Sequence, residues 1–180
     1  NVACEGTIDL VTREITVDVE AYFTGSRAPS SMKMNVAITQ DNVEGPQTGA
    51  SSFYPEMVLP HGNYMHMHML RHLMTGQWGD AVTTTGKDTL YQKQFTWTAP
   101  ADINGVDLDL GELRVVAFIA EGNSEIINGA EGPLTFAGLP HDNNGSLLSV
   151  STDDVVCGSV ITPTIELRNT GNLAMTSATI

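Results

Sequence analysis

The ten residues Glu14–Phe23 (EITVDVEAYF) set Ile15, Val17, Val19, Ala21 and Phe23 against Glu14, Thr16, Asp18 and Glu20. Apolar and polar side chains alternate with a period of two, and a strand is the element that puts alternate residues on opposite faces. The apolar face calls for a core and the acidic face for water, which is the signature of an antiparallel sheet solvated on one side. Met32–Gln40 (MKMNVAITQ) repeats the pattern, with Met32, Met34, Val36 and Ile38 on one face. Lys87–Thr98, Leu113–Ala120 and Glu125–Asn128 read as further strands, and the β-branched run LRVVAFIA is the best central strand. Gly25–Ser31, with Pro29, and Asp41–Gly49, with Gly45-Pro46, read as connectors. Helical periodicity is almost absent. The predicted fold is all-β, an antiparallel β-sandwich of immunoglobulin-like or jelly-roll-like kind.

A length of 180 residues fits one full domain and part of a second. The sandwich is assigned to residues 1–140. Gly138–Gly145 (GLPHDNNG) has the composition of a linker. Beyond it, Leu147–Val150, Val155–Cys157, Ile161–Leu167 and Leu173–Ile180 read as three short strands and the start of a fourth. Residues 141–180 are therefore expected to be a linker and the first strands of an incomplete immunoglobulin-like domain, because a whole one needs about seven strands and about 100 residues. Such a tail cannot close a core of its own. Either the chain is a piece of a longer protein, or residues 146–180 pair with another protein or a second copy, since unpaired edges invite strand addition.

Charge removes several kinds of partner. With 8 Lys and Arg against 21 Asp and Glu, the net charge is −13, which gives no attraction for nucleic acid or anionic lipid. No apolar run reaches the roughly 18 residues of a membrane-spanning helix. There is no Gly-x-Ser-x-Gly elbow, no phosphate-binding Gly-Lys-Ser/Thr loop and no His-Glu-x-x-His pair. Carboxylates are so frequent that the spacing of Asp107 and Asp109 does not single out an acid–base pair. No enzyme is predicted, and no cofactor beyond a candidate calcium or copper ion.

Four features carry possible chemistry. Cys4 and Cys157 form no CxxC; they are either two separate thiols or one disulfide. If formed, the disulfide closes a loop of about 150 residues, for which chain entropy gives about 4–5 kcal/mol. Tyr64–Met74 concentrates methionine and histidine. Read as a strand, it puts Met65, Met67 and Met69 on one face and His66, His68, Leu70 and His72 on the other; read as a helix, it sets His68 and His72 one turn apart. Imidazole and thioether suit copper, so His66, His68, His72, Met67 and Met69 are a candidate metal set, against the alternative that they simply pack. Asp102, Asn104, Asp107 and Asp109 place oxygen ligands around Gly105 as a calcium loop does, though without EF-hand register, and His141–Gly145 is a weaker second candidate. Both also fit plain turns. Tyr54, Tyr91 and Trp97 are candidate aromatic platforms for carbohydrate. Tyr64, Arg71 and Trp78 are expected to brace a turn, with partners for the guanidinium and the indole N–H.

The chain also shows NVAITQDNV over Asn35–Val43, Gly-Pro-Gln over Gly45–Gln47, then Tyr64, His66, His68, Leu70 and Arg71, and a Gly-x-Trp-Gly step at Gly76, Trp78 and Gly79. These motifs resemble the 28-kilodalton outer-membrane-protein-related family of Bacteroidota-type bacteria over residues 7–135, and the tail resembles the opening of an immunoglobulin-like surface module. The resemblance implies an outer-membrane, cell-surface or secreted location in a Gram-negative bacterium and carries no enzymatic activity. Family members often have a thioredoxin-like segment with a CxxC upstream; none occurs here, so no redox role is carried over. In that setting Asp88-Thr89-Leu90 fits an O-glycosylation site at Thr89, and Asn144-Gly145-Ser146 fits a sequon. The expected function is a structural or adhesive surface protein, possible as a subunit of an extracellular assembly through its C-terminal strands. The alternatives are a copper-type metal-binding surface protein and a carbohydrate-binding module.

Overall fold

The computed structural model describes residues 1–29, 31–138, 144–152, 163–171 and 173–177. Its strands are β1 (Val2–Asp9), β2 (Glu14–Phe23), β3 (Met32–Gln40), β4 (Val43–Gly45), β5 (Tyr64–His66), β6 (Met69–Leu73), β7 (Asp80–Ala81) and β8 (Thr89–Thr98). There follow β9 (Asp102–Ile103), β10 (Val106–Asp107), β11 (Leu113–Glu121), β12 (Glu125–Gly132), β13 (Leu134–Ala137), β14 (Gly145–Ser151) and β15 (Thr164–Asn169). One helical turn, α1 (Ala50–Phe53), and two 3-10 turns at Pro55–Met57 and Leu110–Glu112 complete the described elements. The chain divides into two compact units, one of Asn1–Ile8 with Arg13–Thr135 and one of Asp9–Thr12 with Phe136–Ile180.

The fold is an all-β antiparallel sandwich. One sheet has the order β13-β1-β2-β8 and the other β12-β11-β3-β6, with β7 also on β3. The alternation in Glu14–Phe23 decides which face of β2 is buried: Ile15, Val17, Val19, Ala21 and Phe23 all lie in the core. From the other sheet come Met32, Met34, Val36 and Ile38 of β3 and Val115, Ala117 and Ile119 of β11. Their register pairs Val115 with Ile38, Ala117 with Val36 and Ile119 with Met34, so the two strands present one apolar face together. Each such side chain contributes about 1.5–3 kcal/mol when fully buried, an upper figure because the unfolded chain is partly collapsed. The expected central strand Leu113–Ala120 is indeed flanked on both sides, by β3 and β12.

Several elements differ from the sequence expectation. The strand expected at Glu125–Asn128 runs on to Gly132, because Ala117 and Val115 of β11 continue to pair with Ala130 and Gly132. Asp41–Gly49 is not wholly loop: Val43–Gly45 pairs with Tyr64–His66 as a small hairpin of its own. In the second unit β14 pairs with β15, while 173–177 forms no strand, so the expected fourth strand from Leu173 is absent over the described part. Val155–Cys157 and residues 161–162 lie outside the described residues.

The sheets adjoin where β12 meets β1. The Val2 N–H donates to Asn128 Oδ1 at 2.8 Å, and the Cys4 thiol faces the carbonyl of Ala130 at 3.5 Å. A Cβ on Gly132 would stand 1.8 Å from the Cys4 carbonyl oxygen, a backbone atom that cannot swing away. Gly132→Ala is therefore expected to cost about 3 kcal/mol, as overpacking of a tight core does, lowering Tm by about 6 °C or more. At Gly25 an added Cβ meets nothing within 4 Å, and Gly25→Ala should stay within about 0.5 kcal/mol. Equal melting temperatures for the two variants would contradict this close approach.

Candidate functional site

Asp41 follows directly after β3, on the face turned away from the sandwich core, and its side chain is almost wholly buried. It accepts Arg114 Nε at 2.6 Å and the backbone N–H of His68 at 2.8 Å. Burial pulls this carboxyl upward, but the Arg114 and His68 hydrogen bonds outweigh it and hold the group below the ordinary carboxylate range. The bond to His68 has a local consequence. His68 takes φ 54, a left-handed conformation uncommon for non-glycine residues. Of the strand and helix readings of Tyr64–Met74, the strand reading holds only in two pieces, β5 and β6, with the break at His68.

That break decides where the histidines go. His66, on β5, stands edge-on to Tyr64 with ring centroids 5.0 Å apart. His68 is exposed, with Nδ1 3.7 Å from Asp41 and Nε2 3.9 Å from Glu131. His72, on β6, stacks on Trp97 of β8 at 4.1 Å and 8°, bridging the two sheets. Burial holds the His72 imidazole below its ordinary value. Neither expected geometry, one strand face or one helical turn, is therefore realised. The three imidazoles have three different surroundings, and among the described residues no group of three His, Cys, Asp or Glu side chains converges as a metal site. Met69 meets the Arg71 guanidinium through Sδ at 3.7 Å, and Met67 is exposed.

The Asp102–Asp109 segment folds as a turn. Asp102-Ile103 and Val106-Asp107 form a two-residue hairpin around Asn104 (φ 54) and Gly105 (φ 77), the two positive φ values that a tight primed turn demands. Asp102 Oδ1 accepts the Gly105 N–H at 2.9 Å, and Asp109 Oδ1 accepts the Gly111 N–H at 2.8 Å. Both carboxylates thus serve their own backbone. Arg71 binds this hairpin, donating Nη2 to the carbonyls of Val106 (2.7 Å) and Asp107 (3.3 Å). The weaker calcium candidate lies at 141–143, outside the described residues, apart from its last two positions.

Cys4 is a buried free thiol pushed up by desolvation; Cys157 lies outside the described residues. The Thr89 hydroxyl donates to the Gly86 carbonyl at 2.6 Å, beside Asp88 at φ 60. Of the three expected aromatic platforms, Tyr91 is buried and Trp97 is covered by His72. This corrects the sequence expectation: both sit on the inward parity of β8, with Phe95. Trp78 departs in the other direction. It was expected to brace the turn, yet it is 61% exposed. The turn is held instead by Gly76 (φ 66) and Gly79 (φ 69), where a Cβ on Gly79 would meet the Met34 carbonyl oxygen at 2.7 Å.

Sequence reasoning missed an aromatic cleft of about 420 Å³ between α1 and the β4–β5 hairpin. Gly49 (φ 78) starts the helical turn in the left-handed conformation, and α1 then turns out Phe53 and Tyr54, which are 76% and 59% exposed. Tyr64, His66 and Met67 line it from the β5 side, and Gln47 and Thr48 also border it. None of the lining residues is Asp, Glu, Lys or Arg. The signal that was available was the pair Phe53-Tyr54 just before Pro55, in a segment without strand periodicity.

The family model for the outer membrane protein Omp28 matches residues 1–131. The chain belongs to the Omp28 family. It is accordingly an outer-membrane, cell-surface protein, and among the described residues no helix is long and apolar enough to cross a membrane. Solved structures similar to this Omp28-family chain include a domain of the outer membrane lipoprotein Omp28 from Porphyromonas gingivalis, at 14% identity and TM-score 0.49, over 76% of this chain and 88% of that one. HBP35 of Porphyromonas gingivalis has 14% identity and TM-score 0.55, over 97% of this chain and 56% of that one. At such identity the HBP35 likeness speaks for the fold. Comparison with curated proteins gives no match.

The half-buried His72 imidazole generates a pH dependence. His72 is harder to protonate folded than unfolded, so the unfolded chain binds more protons once the pH falls below about 6.5. Stability is full above that value and declines as the pH drops through the folded value. His72→Phe keeps a ring over Trp97 without the titration. Thermal melts at about pH 7.5 and about pH 5 should show a smaller loss of Tm for His72→Phe than for the unmodified protein; equal losses would remove His72 as a source of the slope.

Proposed function

We propose that this Omp28-family chain is a non-catalytic surface module of adhesive or structural type, making its contact through the cleft of Phe53, Tyr54, Tyr64 and His66. The observation that carries this is the exposure of Phe53 and Tyr54 beside a cavity of about 420 Å³. Large rigid aromatics left in water on a defined turn are the kind of anchor that dominates binding energy once covered. The family match supports the surface setting. The described residues around the cleft offer rings, amides and hydroxyls but no paired nucleophile and base, which fits binding better than turnover.

A second reading concerns the C-terminal unit. In the β14–β15 pair, Leu147 and Val150 are 58% and 56% exposed, and Leu148 and Leu167 are also exposed. Among the described residues β14 and β15 pair with each other alone, and a two-stranded ribbon is marginal in water, so pairing with a further strand-bearing surface, in a second copy or another protein, would stabilise it. In this reading residues 146–180 join the subunit to an assembly. Removing them should leave a folded sandwich that sediments as a monomer, and unchanged oligomers after truncation would exclude the tail as the joint.

For the main reading, the full chain is applied to immobilised bacterial cell-envelope material. The double variant F53A/Y54A should be retained at least about ten-fold less than the unmodified protein, the loss of two hot-spot anchors. Its fold should persist, since both side chains are exposed. Equal retention of the two proteins would place the contact elsewhere.

A further inference from the structure

We propose that the cleft between α1 and the β4–β5 hairpin binds a neutral saccharide, with a sugar ring lying against Phe53 and Tyr54. This rests on the reading of that cleft as the contact surface. Three observations select the ligand class. First, the lining carries no Asp, Glu, Lys or Arg in a chain that holds 21 acidic and 8 basic residues. Phosphate, sulfate and carboxylate ligands are recognised through Arg and Lys, and cationic ligands through carboxylates; the cleft offers neither.

Second, the apolar surface is made of flat rings. Phe53 and Tyr54 stand out from the turn, and Tyr64 with His66 forms a T-shaped pair on the β5 side. Two of the rings pass close to glycine backbone. A Cβ on Gly49 would meet the Phe53 ring at 3.4 Å, and one on Gly45 would meet His66 Nε2 at 3.5 Å, so both rings lie directly over glycine backbone.

Third, the lining residues also carry polar groups: the Gln47 amide, the Thr48 hydroxyl, the two tyrosine hydroxyls and the His66 imidazole. A purely apolar occupant would desolvate these groups and give them no partner, which is costly. A pyranose has C–H faces for the rings and hydroxyls that both donate and accept, which answers both parts of the lining. The volume of about 420 Å³ lies within the range of small-ligand sites, about 300–1,000 Å³. The assignment replaces the expected trio Tyr54, Tyr91 and Trp97, of which Tyr54 alone borders the cleft.

The test is saturation-transfer NMR on the full chain with the methyl glycosides of glucose, galactose, mannose and N-acetylglucosamine. Glucuronate, glucosamine and N-acetyl-leucine amide serve as acidic, cationic and peptide-like probes. The expected result is saturation of ring protons in at least one neutral glycoside, weakened at least about five-fold in F53A/Y54A. Transfer to none of the four, equal transfer in the double variant, or a response confined to a charged probe would overturn the proposal. A response from N-acetyl-leucine amide alone would overturn it in favour of an apolar peptide group. If the double variant loses envelope retention while no glycoside responds, the saccharide is wrong and the cleft stands; if neither changes, both readings fall.

Discussion

Strand β3 is buried along almost its whole length, on both faces, with Lys33 alone partly open. Every backbone group on its two sides therefore needs a protein partner, because none can turn to bulk water. On one side β11 supplies an unbroken register from Leu113–Gln40 to Glu121–Met32. On the other side no single strand is long enough. β6 pairs with Ala37 to Gln40, the Met74 N–H and Thr75 Oγ1 serve Val36, β7 pairs with Met34 and Lys33, and the Val82 N–H closes on the Met32 carbonyl. The Gly76–Gly79 turn exists to let the chain pass from one partner to the next. Its glycines follow from that task, with Gly79 running too close to the Met34 carbonyl for any side chain.

The same strand explains the electrostatic centre of the surface. Its end delivers Asp41 to a nearly buried position, where a lone carboxylate would be strongly disfavoured. Arg114, two places into β11, and the backbone of His68 answer it. The kink at His68 is the geometric result, and β5 is thereby released from β6 to pair with β4. Tyr64 and His66 of β5 line the cleft together with residues of α1.

Much of the fold was readable because its signal is periodic. β2 and β3 alternate so clearly that their buried faces follow from spacing alone, and the apolar run of β11 marks a strand with neighbours on both sides. What was not readable depended on contacts distant in sequence. β1 carries Gly6 amid mixed residues, and its burial against β2 comes from pairing rather than pattern. The Met-His alternation of 65–69 looked like a strand signal, but the chain departs from extended geometry at His68 because of a carboxylate 27 residues earlier. The Asp102–Asp109 segment, read from its spacing as a candidate calcium loop, folds as a tight turn in which each acid at its ends accepts a nearby N–H.

Aromatic residues show the same division most sharply. Tyr54, Tyr91, Trp78 and Trp97 have comparable amphipathic side chains, and nothing in their types says which are buried. Parity decides two of them: Tyr91 and Trp97 share the inward face of β8 with Phe95, so they belong to the packing between the sheets. Tyr54 and Trp78 lie on turns built around positive-φ glycines, where no strand face exists to direct them inward. A ring on such a turn meets water unless something else covers it. Core aromatics are thus assigned by sheet geometry, and rings that escape it, such as Phe53 and Tyr54, are the ones left facing water.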